Sequence, residues 1–78
     1  MGEQDLYIVR SSRAGWAVSL NDKTLSVFDE RPKAIEAAVM VAEASARHGR
    51  VSGVAVAEDD GDLIPIWDAG RDAYSTLS

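Results

Sequence analysis

The chain has 78 residues, of which 46% are hydrophobic and 27% charged, with no cysteine and a net charge of −5. This length allows one domain, and the composition is that of a folded globular protein. The missing cysteine excludes disulfides, thiolate catalysis and cysteine metal sites. Residues 51–78 hold the whole acidic excess, with Arg71 as their single base. That balance is the opposite of what nucleic-acid binders usually carry.

The first 28 residues predict a three-stranded meander. Segment 6–10 is rich in residues that favour strands, and apolar residues alternate with others in 16–20 and 24–28, which is the period of a strand. The segment 11–15 is typical of a turn. The segment 21–23 predicts a short hairpin loop, because Asn and Asp tolerate left-handed backbone.

One amphipathic helix is predicted next. Pro32 fits a first helical turn, and Asp29 or Glu30 is placed to cap it. Gly49 is expected just past the C-terminal end. The apolar stripe of the helix is mostly alanine, and it comprises Ile35, Ala38, Val39, Ala42 and Ala46, widened by Ala34 and Val41.

A second hairpin completes the predicted fold. Segments 51–58 and 62–67 flank Asp60-Gly61, a strong turn signal, and Pro65 indicates a strand at a sheet edge. We therefore predict an α+β fold of order β-β-β-α-β-β, an antiparallel sheet with one helix packed on one face. It forms a single domain over 1–78, with an ordered core at about 5–68 and a tail at 69–78.

Three residues form a candidate interaction surface. Trp67 follows Pro65 on the predicted edge strand, and its position is left open between core and interface. Met40 lies toward the polar side of the helix, where it could mark a contact face. Trp16, in contrast, shares its alternation face with Val18, which favours a core anchor over an exposed binding platform.

No catalytic, cofactor-binding or metal site is predicted, and we expect the protein not to be an enzyme. His48 is the single histidine, so neither a triad nor a histidine metal site can be assembled around it. The acidic segment 58–62 does not fit a calcium loop, because Val56 falls on a ligand position. It predicts an acidic hairpin tip, with weak divalent-ion binding left open.

The sequence predicts a cytoplasmic protein without membrane contact. The N-terminus lacks the basic start and apolar stretch of a signal peptide. The longest apolar run, 37–42, is far shorter than the roughly 20 residues that span a bilayer.

The chain resembles a family of short bacterial proteins of unknown function. The matching segments are LYIV (6–9), GWAV (15–18), KAIEAA (33–38), HGRVSGVAV (48–56), DDGD (59–62) and DAYS (72–75). The chain departs from the family at Glu30, where the family has a capping Thr, and at 63–67, where LIPIW replaces a more basic strand. The resemblance implies the fold and brings no established activity.

Residues 5–48 also resemble the arm-type DNA-binding domain of phage integrases, which has three strands and then a helix. That family reads DNA with a basic sheet, and the candidate nucleic-acid contacts here are Arg10, Arg13 and Lys23. We expect a non-enzymatic accessory or protein-interaction module that binds a second copy of itself or another protein. The alternative is a nucleic-acid-binding domain that uses the meander, although the charge makes nucleic acid the less expected partner.

Overall fold

The structure is a computed structural model that describes residues 4–68. Its elements are β1 (Gln4–Ser12), β2 (Gly15–Leu20), β3 (Lys23–Phe28), α1 (Arg31–Arg47), β4 (Val51–Ala57) and β5 (Leu63–Asp68). The α+β class and the predicted order of strands and helix are therefore confirmed. The predicted tail, 69–78, lies outside the described residues.

The five strands form one mixed sheet in the order β3-β2-β1-β4-β5. Three neighbouring pairs are antiparallel, but β1 and β4 run parallel, so the prediction of a purely antiparallel sheet is wrong. The reason is chain direction. Two hairpins leave β1 and β3 pointing the same way, α1 carries the chain back, and a three-residue connection then starts β4 in the original direction. A strand that follows such a crossover is parallel to either edge of the meander.

The three predicted turns are confirmed in position, although the turn predicted at 11–15 is shorter, because Ser12 still belongs to β1 and Gly15 already begins β2. Asn21 and Asp22 have φ values of 53° and 69°, as a two-residue turn between antiparallel strands requires. Lys23 already belongs to β3, so this loop is one residue shorter than predicted. At the β4–β5 hairpin, Gly61 has a φ of 94°, and its N–H donates to the carbonyl of Glu58 at 2.9 Å.

The two ends of the helix are capped in different ways. Glu30 occupies the N-cap position, so Asp29 is not the capping residue. The side chain of Glu30 makes no capping hydrogen bond. At the other end, Gly49 has a φ of 86° and donates to the carbonyl of Ala46, while the N–H of Arg50 donates to that of Ser45. This pair of bonds is a Schellman motif, and it confirms Gly49 as the residue past the helix end.

The helix covers one face of the sheet with its smallest side chains. Ala34, Ala38 and Ala42 are fully buried, whereas Ile35 is half-buried at the flank of the stripe. Val41 is 43% exposed, so the predicted widening of the stripe at this position is wrong. The strand residues that complete this core are Tyr7, Val9, Val18, Val54 and Val56.

This core is thin. Among the described residues, Tyr7 is the one buried core side chain larger than valine. A chain of this size already buries only about 60% of its unfolded surface, so its margin of stability is expected to be modest. Alanine brings the helix close to the sheet, and the short distance leaves little room for large side chains.

Candidate functional site

The sheet has a second broad face that the helix does not cover, and we call it the open face. Side chains alternate along each strand, so the neighbours of the core residues point away from α1. By the strand registers, the open face carries Thr24 and Val27 from β3, Ala17 and Ser19 from β2, Leu6, Ile8 and Arg10 from β1, Val51, Gly53, Ala55 and Ala57 from β4, and Leu63, Pro65 and Asp68 from β5.

Large and small side chains alternate across the open face from strand to strand. The central strand β1 presents Leu6 and Ile8 as a ridge, and the two edge strands present further large side chains. Between these ridges, β2 presents alanine and serine, and β4 presents glycine and alanine over most of its length. The face therefore has three ridges separated by two troughs, one over β2 and one over β4.

The outer ridges are well exposed to solvent. Val27 on β3 and Leu63 on β5 are each 44% exposed. The trough residues Ala17 and Ala55 are buried instead, because small side chains lie in the shelter of larger neighbours. The open face therefore presents exposed apolar side chains at both edges and the half-buried Leu6 and Ile8 between them. Scattered exposed apolar residues are ordinary, whereas a face that carries them on three strands is a candidate interaction site.

Few charges lie on this face. Among the described strand residues, the register places Arg10 and Asp68 there. Further charges lie in the turns at the rim of this face: Glu58 and Asp59 line one shallow pocket with Arg10, Ala57 and Leu63, and Asp22 lines another with Arg10 and Ala17. A surface depleted in charge at its centre matches the composition of protein–protein interface cores.

The two edges of the sheet are poorly suited to pairing with another strand. Pro65 lies on the edge strand β5, as predicted, and it has no N–H to donate. Each edge strand also holds an unpaired extra residue, Leu25 in β3 and Ile66 in β5, where the register shifts. Bulges of this kind are a common protection of sheet edges.

The predicted interaction residues do not share one surface. Pro65 is exposed on the open face. Trp67 lies on the helix-covered face, partly buried against the core. Met40 is 63% exposed on α1.

The candidate nucleic-acid contacts are also separated. Arg10 projects from the open face, Arg13 lies in the β1–β2 turn, and Lys23 begins β3. The turn that holds Arg13 and the start of β3 are at opposite ends of β2. With a strand rise of about 3.3 Å per residue, this is roughly 20 Å of sheet. The structure does not bring these three cations into one basic patch.

Trp16 packs against the core at the edge of the helix, as a core anchor would. Its ring is partly buried, and the Arg31 guanidinium carbon lies 5.8 Å from the ring centroid. Arg31 also approaches Glu58, with 3.9 Å between the closest nitrogen and oxygen. Both partners are about half exposed, so this ion pair adds little stability.

A shallow groove of about 600 Å³ runs along the exposed flank of the first helical turns. It is mostly apolar and is lined by Arg31, Pro32, Ile35, Glu36, Val39 and Met40. Of these residues, Met40 alone is a predicted interaction residue. Pro32, Ile35 and Val39 follow one another at helical spacings of three and four residues, and this is the signal that could have indicated the groove.

The structure also contains a polar clamp that sequence analysis did not identify. The carboxylate of Asp5 on β1 is only 7% exposed and accepts two bonds from Arg50, from Nε at 2.6 Å and from Nη2 at 2.7 Å. The hydroxyl of Ser45 donates to the same carboxylate at 2.7 Å. These bonds lower the pKa of Asp5 from 3.8 to about 2. The clamp fastens the C-terminal end of α1 and the following loop to the central strand.

Ser52 lies beside this clamp but takes no part in its hydrogen bonds. It pairs in register with Asp5, it is 1% exposed, and its hydroxyl has no hydrogen-bond partner. Replacement of Ser52 by alanine is therefore expected to raise the free energy of unfolding by about 1 kcal/mol, because it removes a buried polar group without a partner. Urea denaturation measures this change. Ser45→Ala is the matched control and should destabilise the fold, whereas a destabilised Ser52→Ala would contradict the assignment.

The polar groups that suggest chemistry in other proteins are dispersed here. His48 is exposed at the C-cap of α1. Within residues 4–68 no three metal-ligating side chains are grouped to hold an ion, and α1 lacks the length and hydropathy to cross a bilayer. No protein-family model, curated protein or solved structure matches the chain.

Proposed function

We propose that this protein is a non-enzymatic protein-interaction module whose binding surface is the open face of the sheet. The observation that carries the proposal is that one face of the sheet is covered by α1, while the other presents exposed Val27, Leu63 and Pro65 with little charge among them. Burial of apolar surface is the main favourable term in protein association, at roughly 25 cal/mol per Å² removed from water.

The open face fits this role better than the other candidate surfaces. The edge strands are protected by Pro65 and by bulges, which disfavours the addition of a strand. The helix groove is confined to the first part of α1 and is bordered by the charged Arg31 and Glu36. The nucleic-acid alternative has weaker support, because Arg13 and Lys23 lie at opposite ends of β2.

Affinity capture from the source cell tests the proposal. The tagged chain is compared with the double variant Val27→Lys/Leu63→Lys, which places two charges on the outer ridges. Both residues are 44% exposed, so the variant is expected to fold. A lysine in a desolvated interface loses its hydration, and we expect capture of the partner protein to fall by at least about tenfold.

A matched control places the same two charges on the helix. Met40→Lys/Val41→Lys substitutes residues that are 63% and 43% exposed on α1, and it should capture the partner as well as the unmodified chain does. Equal capture by both double variants would contradict the proposal. Salt-sensitive recovery of nucleic acid, lost on substitution of Arg10, would favour the alternative instead.

A further inference from the structure

We infer that the partner of the open face is a second copy of this chain, packed face to face so that the ridges of each sheet enter the troughs of the other. This inference rests on the proposed function, because it names the partner that the open face receives. Three observations lead to it: the relief of the face, its charge and the area that it offers.

The pattern of ridges and troughs on the open face is self-complementary. Three ridges, carried by β3, β1 and β5, alternate with two troughs, over β2 and β4. If a second copy is turned over by a two-fold axis along the strands and displaced by one strand, the ridge of Leu6 and Ile8 lies over the trough of Gly53 and Ala55. The same operation places the ridge of one copy's β5 over the trough of the other copy's β2. A two-fold axis makes these contacts reciprocal, as in most homodimers.

The charge of the face points to the same partner. The chain carries a net charge of −5, yet the described strands place only Arg10 and Asp68 on the open face, and Asp22, Glu58 and Asp59 lie at its rim beside Arg10. A partner with a strongly charged binding surface would leave its charges buried without counter-ions, at a large desolvation cost. The surface that fits must be largely apolar with few charges of both signs at its rim, and each copy of the chain presents one.

The area is sufficient for a weak, reversible dimer. Displacement by one strand leaves four strands of each copy in contact, and strands about 4.8 Å apart and about six residues long then give roughly 400 Å² a side in projection. The two sides together bury about 800 Å² before the relief of the ridges is added, which is the size of a transient interface. The thin valine and alanine core explains why added burial matters, since a small domain without disulfides commonly gains stability by association.

Sedimentation equilibrium of the full chain, from about 1 µM to about 1 mM, tests the inference. We expect a monomer–dimer equilibrium that Leu63→Lys weakens by at least about tenfold. Val27→Lys should leave it nearly unchanged, because the displacement by one strand leaves β3 outside the contact. The helix control Met40→Lys/Val41→Lys should leave it unchanged. A chain that stays monomeric throughout, or a dimer as sensitive to Val27→Lys or to the helix control as to Leu63→Lys, overturns the inference.

A second variant tests the relief itself. Ala55→Phe fills the trough over β4 with an apolar side chain that can lean toward solvent, and circular dichroism checks that it folds. We expect it to weaken the dimer, because it blocks the ridge of the other copy. If it strengthens association, hydrophobic contact without fit is responsible, and the packing of ridges into troughs is wrong.

The two proposals fail in different ways. A monomeric chain that still captures another protein through Val27 and Leu63 overturns the second-copy inference and leaves the proposed function in place. A monomeric chain whose capture does not depend on these residues overturns both.

Discussion

Replacement of Gly15 by alanine is expected to lower the free energy of unfolding by about 3 kcal/mol or more, and the melting temperature by more than about 10 °C. Gly15 begins β2 with a φ of 135°, a conformation that residues with a side chain rarely adopt. A Cβ at this position would lie 2.3 Å from the carbonyl oxygen of Phe28. That oxygen belongs to the backbone of β3, so the clash can be relieved only by moving a strand. Urea and thermal denaturation measure the effect.

Alanine variants of two other glycines distinguish the effect of backbone strain from that of the steric clash. Gly49 and Gly61 also have positive φ values, 86° and 94°, but a Cβ at either position would meet no atom within 4 Å. Alanine at either position is therefore expected to lower the free energy of unfolding by about 1 kcal/mol, which is the cost of left-handed backbone in a residue with a side chain. If all three variants were equally destabilised, the close approach of Gly15 to Phe28 would not be a feature of the folded protein.

Replacement of Asp5 by asparagine is expected to destabilise the protein at neutral pH and to change how its stability depends on acid. The pKa of Asp5 is lowered from 3.8 to about 2, first by the Arg50 bonds and then by the Ser45 bond. The folded state therefore favours the ionised carboxylate. The stability that it contributes is fully present above pH 3.8 and is lost as the pH falls toward 2. An asparagine at this position has no charge to lose over the same interval.

Denaturation between pH 2 and pH 7 measures both consequences. We expect the unmodified chain and Asp5→Asn to differ most at neutral pH and to converge near pH 2, where the carboxylate of Asp5 becomes protonated. Asp22→Asn is the control, because this exposed acid lies in a turn whose left-handed backbone asparagine also accepts. A constant difference between Asp5→Asn and the unmodified chain over the whole interval would show that the clamp does not titrate with Asp5.

The secondary structure of this chain could be predicted because its signals are local. The turn residues Asn21, Asp22 and Gly61, and the helix-end residue Gly49, adopt the left-handed backbone that their residue types favour. The parallel pairing of β1 and β4 was missed, although chain direction implies it. Two hairpins, one helix and a three-residue connection leave β4 pointing the same way as β1.

The candidate site could be predicted only in part, because the meander is apolar on both faces. In β1, Tyr7 and Val9 enter the core, while Leu6 and Ile8 form the central ridge of the open face. Alternation divides these residues into two sets, but it does not say which set the helix covers. Pro65 was correctly placed at an edge, whereas the relief of the open face depends on strand neighbours that only the sheet order reveals.

No local sequence pattern indicates the Asp5 clamp. Asp5 and Arg50 are 45 residues apart in sequence, and neither lies in a recognisable motif. Their contact depends on the parallel pairing of β1 with β4 and on the Schellman motif that directs Arg50 away from the helix end. A bidentate ion pair of this kind is a product of tertiary structure.

The central position of β1 also determines how the chain folds. β2 and β3 can pair with each other and with β1 through short loops, but β1 meets β4 only after the whole of β2, β3 and α1 has been placed. Until α1 packs on the meander, the apolar side chains Tyr7, Val9 and Val18 have no cover. Closing this long loop costs entropy before the contacts that reward it have formed. We therefore expect docking of β4 against β1 to limit the folding rate, and the chain to fold more slowly than helical proteins of the same length.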